Sequence, residues 1–298
     1  MTTKLDGRQL ASKLYEKIRG EVAAHGGRRP GLTVVQVGEN PASSSYIRQK
    51  QNAAESCGFR FEHVQLPREL SFEELKRVLT QRCADPAVDG LILQLPLDST
   101  TITDPKATEE LLALIPPAKD ADGLHTENLG RLLAGESLPE RWTSPLPATA
   151  LGVMRILEEG GVELVGKRAV VVGKSRLVGL PTATLLAHAG ATVTVCHSKT
   201  KDLARHTREA EVLVAAAGRR HLITPDHVAA GAVVVDVGIH ELPRKSADAK
   251  RQLTGDVDPA AFAKASLYTP VPGGVGPMTV AGLLENVFRL YRKRGPGL

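Results

Sequence analysis

Aromatic residues are scarce in this chain. Phenylalanine, tyrosine and tryptophan together make up 3% of its 298 residues. Proteins that bind RNA or single-stranded nucleic acid stack the bases on aromatic side chains, so this scarcity argues against that class of partner. The formal net charge is +5, but the basic residues are scattered along the chain. We therefore expect no nucleic-acid partner, because an anionic small-molecule ligand explains the positive charge with fewer assumptions.

Cysteine and long apolar runs are scarce as well. The three cysteines, Cys57, Cys83 and Cys196, are an odd number and widely spaced. This pattern predicts reduced thiols and no metal site. The first residues lack the apolar core of a signal peptide, and no uninterrupted apolar run approaches the length of a membrane span. We expect a cytoplasmic protein with no membrane partner and no metal.

Strand-like and helix-like segments alternate along the first part of the chain. Strands are predicted at residues 32–38, 59–66 and 88–95, and helices at residues 42–57, 72–79 and 104–114. Such alternation predicts parallel strand pairing in an α/β fold. Residues 115–147 are rich in proline and glycine and break the pattern, so we expect the chain to cross between two domains there.

A second set of α/β elements follows this crossing. A helix is predicted at residues 149–159, and strands at residues 168–172, 191–196, 211–216 and 232–237. The expected fold class is therefore α/β with two domains. The N-terminal α/β domain covers residues 1–146, and a Rossmann-type domain with a central parallel sheet covers residues 147–276. A final helix, residues 277–298, is expected to pack back onto the N-terminal domain.

The segment from Thr269 to Thr279 holds three prolines and three glycines, and an amphipathic helix follows it directly. Proline fixes φ and glycine frees it, so the segment predicts a shaped loop. Glycines without a Cβ let the backbone lie against a flat ligand. The alternative interpretation is a tight surface turn.

The residues from Gly173 to Gly179 lie between a predicted strand and a predicted helix. A glycine turn in that position makes an anion site at the helix N-terminus, as in dinucleotide-binding folds. The spacing is G-x-S-x-x-x-G rather than the usual G-x-G-x-x-G, so a tight turn without a ligand stays an alternative.

The strand that follows favours NADP over NAD. NAD-binding folds place a carboxylate on the ribose 2′-hydroxyl at the end of this strand, but His197, Ser198 and Lys199 stand there instead. The side chains of Lys174, Arg176, Ser198 and Lys199 could receive a 2′-phosphate; the alternative is that the cations are solvated loop residues. Asp236 to Ile239, at a later strand end, could place backbone against the nicotinamide, or Gly238 could be a turn residue.

A second group of candidate residues lies in the N-terminal domain. Tyr46 and Lys50 are four residues apart on a predicted helix and share a face. A buried lysine beside a cationic substrate has a lowered pKa and can act as a base. Gln94 closes a strand, and Asp122 in a loop could accept hydrogen bonds from a pterin-like ring edge. The alternatives are an exposed helix pair, a capping glutamine and an Asx turn.

The chain resembles the bifunctional methylenetetrahydrofolate dehydrogenase/methenyltetrahydrofolate cyclohydrolase family. The resemblance spans nearly the whole chain, and the matching motifs keep their order. They are residues 37–43 with Tyr46 and Lys50, residues 94–97, 119–123, 173–175, 178–181, 197–200, 236–239, 255–258 and 270–279.

The resemblance implies an α/β homodimer that uses NADP and tetrahydrofolate one-carbon derivatives, with a cleft between a catalytic, folate-binding domain and an NADP-binding domain. The matching catalytic residues are Tyr46, Lys50, Gln94 and Asp122. The implied folate site adds Leu95, Pro272, Gly273, Gly274, Val275 and Gly276. The implied cofactor site consists of Gly173, Lys174, Ser175, Ser198 and Ile239.

Three departures from the family pattern affect single positions. Lys174 stands where the family commonly has arginine, which clamps phosphate in a bidentate manner. The family's Pro-Cys-Thr-Pro is represented by residues 147–150, with Ala148 and Ala150 replacing cysteine and the second proline, and Asp98 replaces a proline after Gln-Leu-Pro-Leu. These changes concern cofactor affinity and loop shape rather than the reaction.

The predicted function is NADP-dependent oxidation of 5,10-methylenetetrahydrofolate, followed by hydrolysis of the methenyl product to 10-formyltetrahydrofolate. One alternative is a short-chain alcohol dehydrogenase, which also uses tyrosine and lysine four residues apart. In that class the pair follows the nucleotide-binding fold, whereas Tyr46 and Lys50 precede it here. A second alternative is a non-catalytic dinucleotide-binding regulator, which gives no reason for the four catalytic candidates to meet.

Overall fold

A computed structural model of the chain describes residues 2–242 and 252–295. The strands in chain order are β1 (Thr3–Lys4), β2 (Gly31–Val37), β3 (Arg60–Leu66), β4 (Gly90–Leu93), β5 (Arg168–Val172), β6 (Thr192–Cys196), β7 (Val212–Ala215), β8 (Val233–Asp236), β9 (His240–Glu241), β10 (Leu253–Thr254) and β11 (Leu267–Tyr268). The helices are α1 (Gly7–His25), α2 (Pro41–Ser56), α3 (Phe72–Ala84), α4 (Pro105–Ala113), α5 (Thr126–Leu133), α6 (Ala148–Glu159), α7 (Gly179–His188), α8 (Leu203–Thr207) and α9 (Val275–Arg294).

The predicted strands and helices are present, and two predictions need correction. The segment predicted as an irregular crossing contains helix α5, which His125 caps by accepting the Glu127 N–H at 3.1 Å. The final helix begins at Val275 rather than Pro277, so the last residues of the Gly/Pro segment form its first turn. Residues 296–298 of that predicted helix lie outside the described residues.

The chain divides into two compact units, which we name by their sheets. The three-stranded unit consists of residues 12–148 and 280–298, and the six-stranded unit consists of residues 1–11 and 149–279. The first residues of the chain thus belong to the unit that is built mainly from its second half.

The three-stranded unit contains the parallel sheet β3-β2-β4. All seven residues of the central strand β2 are buried, as expected for a parallel strand covered on both faces. Alternate side chains of the sheet enter two cores. Leu32 and Val34 pack with helices α1, α2 and α9, whereas Val35 and Val37 pack with helices α3 and α4. Helix α2 therefore packs on one face of the sheet. The carboxyl end of β4 lies next to this helix, where Gln94 contacts Lys50.

The six-stranded unit contains a sheet of order β1-β11-β8-β7-β5-β6 in which all pairs are parallel. The chain goes from β5 to its neighbour β6 and then returns to the other side of β5 as β7. This change of direction is the topological switch point where open α/β sheets bind ligands, at the carboxyl ends of the strands. Strands β9 and β10 form a separate antiparallel pair.

Among the described residues, no helix is long and apolar enough to cross a membrane. The same part of the chain contains no group of three or more histidine, cysteine, aspartate or glutamate side chains arranged to hold a metal ion.

Candidate active site

Lysine 50 is a buried cation of the three-stranded unit. It lies on helix α2, one turn after Tyr46, and its side chain is 8% exposed. Burial lowers the pKa of Lys50, and the negative charge of Asp122 opposes that shift less strongly. A desolvated ammonium is easier to deprotonate than a solvated one, so this side chain is suited to move protons. Burial also raises the pKa of Tyr46, which keeps its hydroxyl protonated.

Glutamine 94 fixes the Lys50 side chain. It follows strand β4, and its backbone N–H donates to the Val35 carbonyl at 2.8 Å. Its Nε2 donates to the Leu95 carbonyl at 2.7 Å, which turns Oε1 toward the lysine. Lys50 Nζ donates to that Oε1 at 3.0 Å. Because amide oxygens accept from both the ammonium and the neutral amine, the contact survives proton transfer.

Aspartate 122 is half-buried in the loop before α5. Close backbone packing and hydrogen bonds of neighbouring residues fix the conformation of that loop. Gly123 has φ +72°, and a Cβ there would lie 2.3 Å from the Leu146 carbonyl carbon, so the loop presses directly on the neighbouring backbone. The Asp122 carbonyl accepts the Ala148 N–H at 3.1 Å. The buried Asp120 carboxylate accepts the His125 N–H at 2.8 Å.

Asparagine 286 of helix α9 completes this support, although no sequence pattern marks it. Its Nδ2 donates to the carbonyls of Ala121 at 3.0 Å and Leu146 at 2.7 Å. Its Oδ1 accepts the Leu146 N–H at 3.2 Å. An isolated asparagine in an amphipathic helix has no local sequence signal. Its role is seen only in the structure, because its partner Ala121 is 165 residues away along the chain.

The three-stranded unit thus brings four of the predicted residues into one region. Lys50 touches Gln94, Asp122 is close enough to act on the charge of Lys50, and Tyr46 precedes Lys50 by one turn. Leu95 joins them through its carbonyl. Asp98, which stands where the family has a proline, has partners of its own. Its carboxylate accepts the Glu39 N–H at 3.1 Å and forms an ion pair with Arg68 at 3.0 Å. Ala148 and Ala150 are buried core residues.

In the six-stranded unit, the loop from Gly173 to Val178 joins β5 to α7 at the switch point. Gly173 has φ +138°, and a Cβ there would lie 2.1 Å from the Ala216 carbonyl oxygen. Only glycine fits this position. The Gly173 N–H donates to the Cys196 carbonyl at 2.8 Å, which ties this loop to the end of β6.

Serine 175 organises the first turn of α7. Its Oγ accepts the N–H groups of Val178 at 3.2 Å and Gly179 at 3.3 Å. A hydroxyl has two acceptor sites and one donor, so the Ser175 O–H remains available to a phosphate oxygen. The side chain is exposed, which leaves it open to a ligand.

The predicted 2′-phosphate residues surround the same loop. Lys174, Ser198 and Lys199 are exposed, and none of these side chains has an ion-pair partner within the described residues. The turn after β6 is held by the His197 N–H, which donates to Thr200 Oγ1 at 2.9 Å. The tie between Gly173 and Cys196 brings the loops that carry these cations together.

The Gly/Pro segment and Ile239 also meet in this unit. Gly273 has φ +101°, and a Cβ on Gly7 would lie 1.8 Å from the Gly274 carbonyl oxygen, so this backbone is closely packed. Pro272 is exposed and Val275 is buried. A Cβ on Gly276 would lie 3.9 Å from Ile239 Cδ1. Gly276, predicted to contact folate, and Ile239, predicted to contact the cofactor, are therefore neighbours within this unit.

Two buried carboxylates at the ends of β8 and β10 were not predicted as site residues. Asp236 accepts N–H groups of Gly238, Asp256 and Val257, each at 3.0 Å. Burial, and secondarily the charge of Asp256, raises the pKa of Asp236 to about 6 despite these hydrogen bonds. The sequence signal is a glycine close to each acid: Gly238 lies two residues after Asp236, and Gly255 directly precedes Asp256.

Comparison with known proteins gives the family. Residues 5–122 match the catalytic domain of the tetrahydrofolate dehydrogenase/cyclohydrolase family, and residues 147–295 match its NAD(P)-binding domain. A bifunctional FolD protein of Synechococcus sp. (strain RCC307) is 48% identical over 295 residues, which cover 98% of this chain and 95% of the relative.

Solved structures of the same family have the same fold as this chain. Bifunctional FolD from Campylobacter jejuni has a TM-score of 0.89 at 40% identity, with 99% of this chain and all of that chain covered. FolD from Trypanosoma brucei, solved with NADP and an inhibitor, has a TM-score of 0.90 at 38% identity, with 98% of each chain covered. The fold and both sites thus define a two-unit dinucleotide-binding enzyme. The chain belongs to the tetrahydrofolate dehydrogenase/cyclohydrolase family.

The predicted family and α/β fold class are confirmed. The comparisons support the predicted dehydrogenase and cyclohydrolase function and the NADP cofactor, and they do not support a short-chain alcohol dehydrogenase or a regulator.

Proposed function

We propose that the chain oxidises 5,10-methylenetetrahydrofolate with NADP and hydrolyses the methenyl product to 10-formyltetrahydrofolate. The observation that carries this proposal is the buried Lys50 held on Gln94 at 3.0 Å, with Asp122 acting on its charge. Family membership supplies the substrate class, and the side chains supply the chemistry.

Folate recognition is assigned to Asp122, Tyr46 and Leu95. The Asp122 carboxylate accepts hydrogen bonds from the amino and amide donors of the pterin ring. Leaving such donors unpaired on binding would cost about 1–3 kcal/mol each, so this contact also selects the ring. Tyr46 lies one turn from Lys50 on α2 and positions the one-carbon bridge beside it. Residues 272–276 offer a backbone shelf with two glycines at positions where a Cβ is excluded or strained.

The residues at the switch point fit NADP. Gly173 leaves room for backbone to approach a pyrophosphate, and the Ser175 hydroxyl has a free donor. Lys174, Ser198 and Lys199 can donate charge-assisted hydrogen bonds to the 2′-phosphate. NADP supplies the hydride acceptor when bound.

The hydrolytic step uses Lys50. Water attacks the methenyl carbon, and the neutral Lys50 amine takes the proton that the water loses. The bond from that carbon to the ring nitrogen then breaks, and the Lys50 ammonium returns the proton to the departing nitrogen. The hydroxyl group on the carbon gives its proton to solvent as it becomes the formyl carbonyl, so one proton is released overall. Gln94 Oε1 holds Nζ through both protonation states, so the base does not leave the carbon between the two transfers.

Two half-reactions measured separately test this proposal. With methylenetetrahydrofolate and NADP, absorbance should report formation of the methenyl compound and NADPH together. With the methenyl compound alone, at a pH where uncatalysed hydrolysis is slow, the enzyme should accelerate its loss. Absence of NADPH formation contradicts the dehydrogenase, and an unchanged rate of methenyl loss contradicts the cyclohydrolase.

We also propose that the protein is a homodimer in the cytoplasm. The dimer rests on the family resemblance. The compartment rests on the cysteines, which are odd in number, with Cys57 and Cys196 buried as free thiols, as expected in a reducing environment. Light scattering after size-exclusion chromatography should give twice the mass of the 298-residue chain, and a monomer mass at micromolar concentration contradicts the dimer.

A further inference from the structure

Aspartate 256 lies in the turn after β10, and its carboxylate is fully buried. Its Oδ2 accepts the N–H groups of Ala217 at 2.6 Å and Gly218 at 2.9 Å. Its Oδ1 contacts His240 Nε2 at 2.7 Å. One carboxylate therefore joins the backbone that follows β7 to the residue that follows Ile239.

Asp236 fixes Asp256 in turn. It accepts the N–H groups of Asp256 and Gly238, so the backbone on both sides of the contact is tied to the end of β8. Space is tight, because a Cβ on Gly255 would lie 1.8 Å from Asp236 Oδ2, and a Cβ on Gly238 would lie 2.3 Å from Asp256 Oδ1. Burying two carboxylates is costly unless they are well hydrogen-bonded, so packing alone does not explain them.

The backbone that these acids fix borders the cofactor site. Ala216, which precedes the Asp256-bound amides, is the residue that excludes a Cβ from Gly173. Ile239 stands between Gly238, anchored on Asp236, and His240, anchored on Asp256. Its side chain is 41% exposed although its neighbours on both sides are fixed. An exposed apolar side chain on an immobilised backbone is suited to contact a ligand ring.

We propose that Asp256, with His240 as its partner, is a positioning residue of the dehydrogenase that fixes the backbone where the nicotinamide half of NADP binds. The proposal rests on the proposed function for its ligand. It concerns the nicotinamide half alone, because the cations assigned to the 2′-phosphate follow β5 and β6 and are not bonded to Asp256.

Comparing the binding of two ligands distinguishes a positioning role for Asp256 from a general structural role. NADP carries the nicotinamide, and 2′-phospho-ADP-ribose lacks it but keeps the phosphates and adenosine. For Asp256→Ala, calorimetry should show about tenfold weaker NADP binding, the loss expected when preorganisation equivalent to one strong hydrogen bond disappears. Binding of 2′-phospho-ADP-ribose should change less than about twofold, a difference within ordinary context effects. Because 2′-phospho-ADP-ribose binds the six-stranded unit, its retained binding also reports that this unit is folded in the variant, and cyclohydrolase activity, assigned to the other unit, should persist.

Two further variants keep the test valid even if Asp256→Ala destabilises the protein. Asp256→Asn keeps an oxygen that can accept the N–H groups of Ala217 and Gly218 and keeps a polar group facing His240, so it should restore much of the NADP affinity. His240→Gln should show the same selective loss as Asp256→Ala in weaker form. Asp258→Asn is the matched control, because Asp258 only caps a short 3₁₀ helix by accepting the Ala260 N–H.

Equal weakening of both ligands, or unchanged NADP affinity in Asp256→Ala, overturns the positioning role. A parent protein that binds 2′-phospho-ADP-ribose and NADP but forms no NADPH from methylenetetrahydrofolate contradicts the proposed function instead. The selective loss in the variant would stand in that case, because it is measured by binding alone.

Discussion

At the scale of single residues, the chemistry depends on how burial and one hydrogen bond define Lys50. Burial lowers its pKa, and Gln94 Oε1 fixes the position of Nζ. Hydride transfer needs alignment of the substrate with the nicotinamide, whereas hydrolysis also needs a group that takes and returns a proton. The two activities should therefore differ in their dependence on this side chain.

Lys50→Met keeps the apolar stem and removes the amine. We expect cyclohydrolase activity to fall by about 100-fold or more, the usual contribution of a general base, and dehydrogenase activity to fall less. Methenyltetrahydrofolate should accumulate in a coupled assay. Lys17→Met, at an exposed position on α1, is the control and should leave both rates unchanged. A Lys50→Met protein that hydrolyses the methenyl compound at the parental rate rules out Lys50 as the base.

Asp122→Ala tests recognition of the pterin. Removing the carboxylate leaves ring donors unpaired, which should weaken folate binding by about tenfold or more. NADP binding should stay near the parental value, because the cofactor residues belong to the six-stranded unit. Asp122→Asn keeps one oxygen acceptor and should lose less. Calorimetry with a folate ligand measures the effect, and equal folate affinity in parent and alanine variant refutes the role.

At the scale of elements, the β5–α7 loop and the turn after β6 determine cofactor choice. Each charge-assisted hydrogen bond to a 2′-phosphate contributes about 1.5–3 kcal/mol when well formed. Lys174→Ala should therefore reduce the ratio of kcat/KM for NADP to that for NAD by about tenfold. The control is Lys201→Ala, an exposed lysine beyond the turn. A parental enzyme with equal kcat/KM for both cofactors would contradict the assignment of this loop.

Helix α9 stabilises the Asp122 loop through Asn286. Asn286→Ala leaves the buried backbone groups of Ala121 and Leu146 without their partners. We expect a loss of about 3 kcal/mol or more in the free energy of unfolding, since three buried backbone groups lose their partner and each costs about 1–3 kcal/mol. Urea unfolding measures it, with the exposed Arg292→Ala on the same helix as the control. A midpoint equal to that of the control variant contradicts this account of α9.

Elements with a strong pattern were predictable, and those fixed by distant partners were not. Strand β2 is rich in leucine and valine, and the spacing of Tyr46 and Lys50 places both on one face of α2. The two-residue strands β1 and β11 exist because they pair with each other and with β8, and no local pattern marks them. Helix α5 has eight residues inside a proline-rich segment, too short to outweigh its surroundings in the sequence.

The candidate site divides in the same way. Lys50, Gln94 and Asp122 were predicted from residue type, position at element ends and the family resemblance, and the structure brings them to one region. The supporting residues Asn286 and Asp256 act across long sequence separations, and their partners are backbone groups. Backbone partners have no residue identity, so the sequence cannot reveal them.

At the scale of the whole molecule, stability should depend on pH through Asp236. Its pKa is raised from 3.8 to about 6, so the folded protein holds this proton more tightly than the unfolded chain does. The contribution to stability is complete below about pH 4 and is lost as the pH rises through about 6. A shift of about two pKa units corresponds to about 3 kcal/mol.

Asp236→Asn isolates this contribution. The difference in free energy of unfolding, parent minus variant, should fall by roughly 2–3 kcal/mol between pH 4 and pH 7, whatever its absolute value. Urea unfolding at several pH values provides the measurement. A difference that stays constant over this range shows that Asp236 titrates alike in the folded and unfolded chain.

The dehydrogenase and the cyclohydrolase of this chain should act in sequence on the same one-carbon unit. The most direct test is the stoichiometry of a single reaction that contains the enzyme, methylenetetrahydrofolate and NADP at a pH where uncatalysed hydrolysis is slow. Chromatography with mass detection should find NADPH and 10-formyltetrahydrofolate formed in equal amounts, with little methenyl compound at the end. NADPH accompanied only by persistent methenyl compound, or no NADPH at all, would contradict the account.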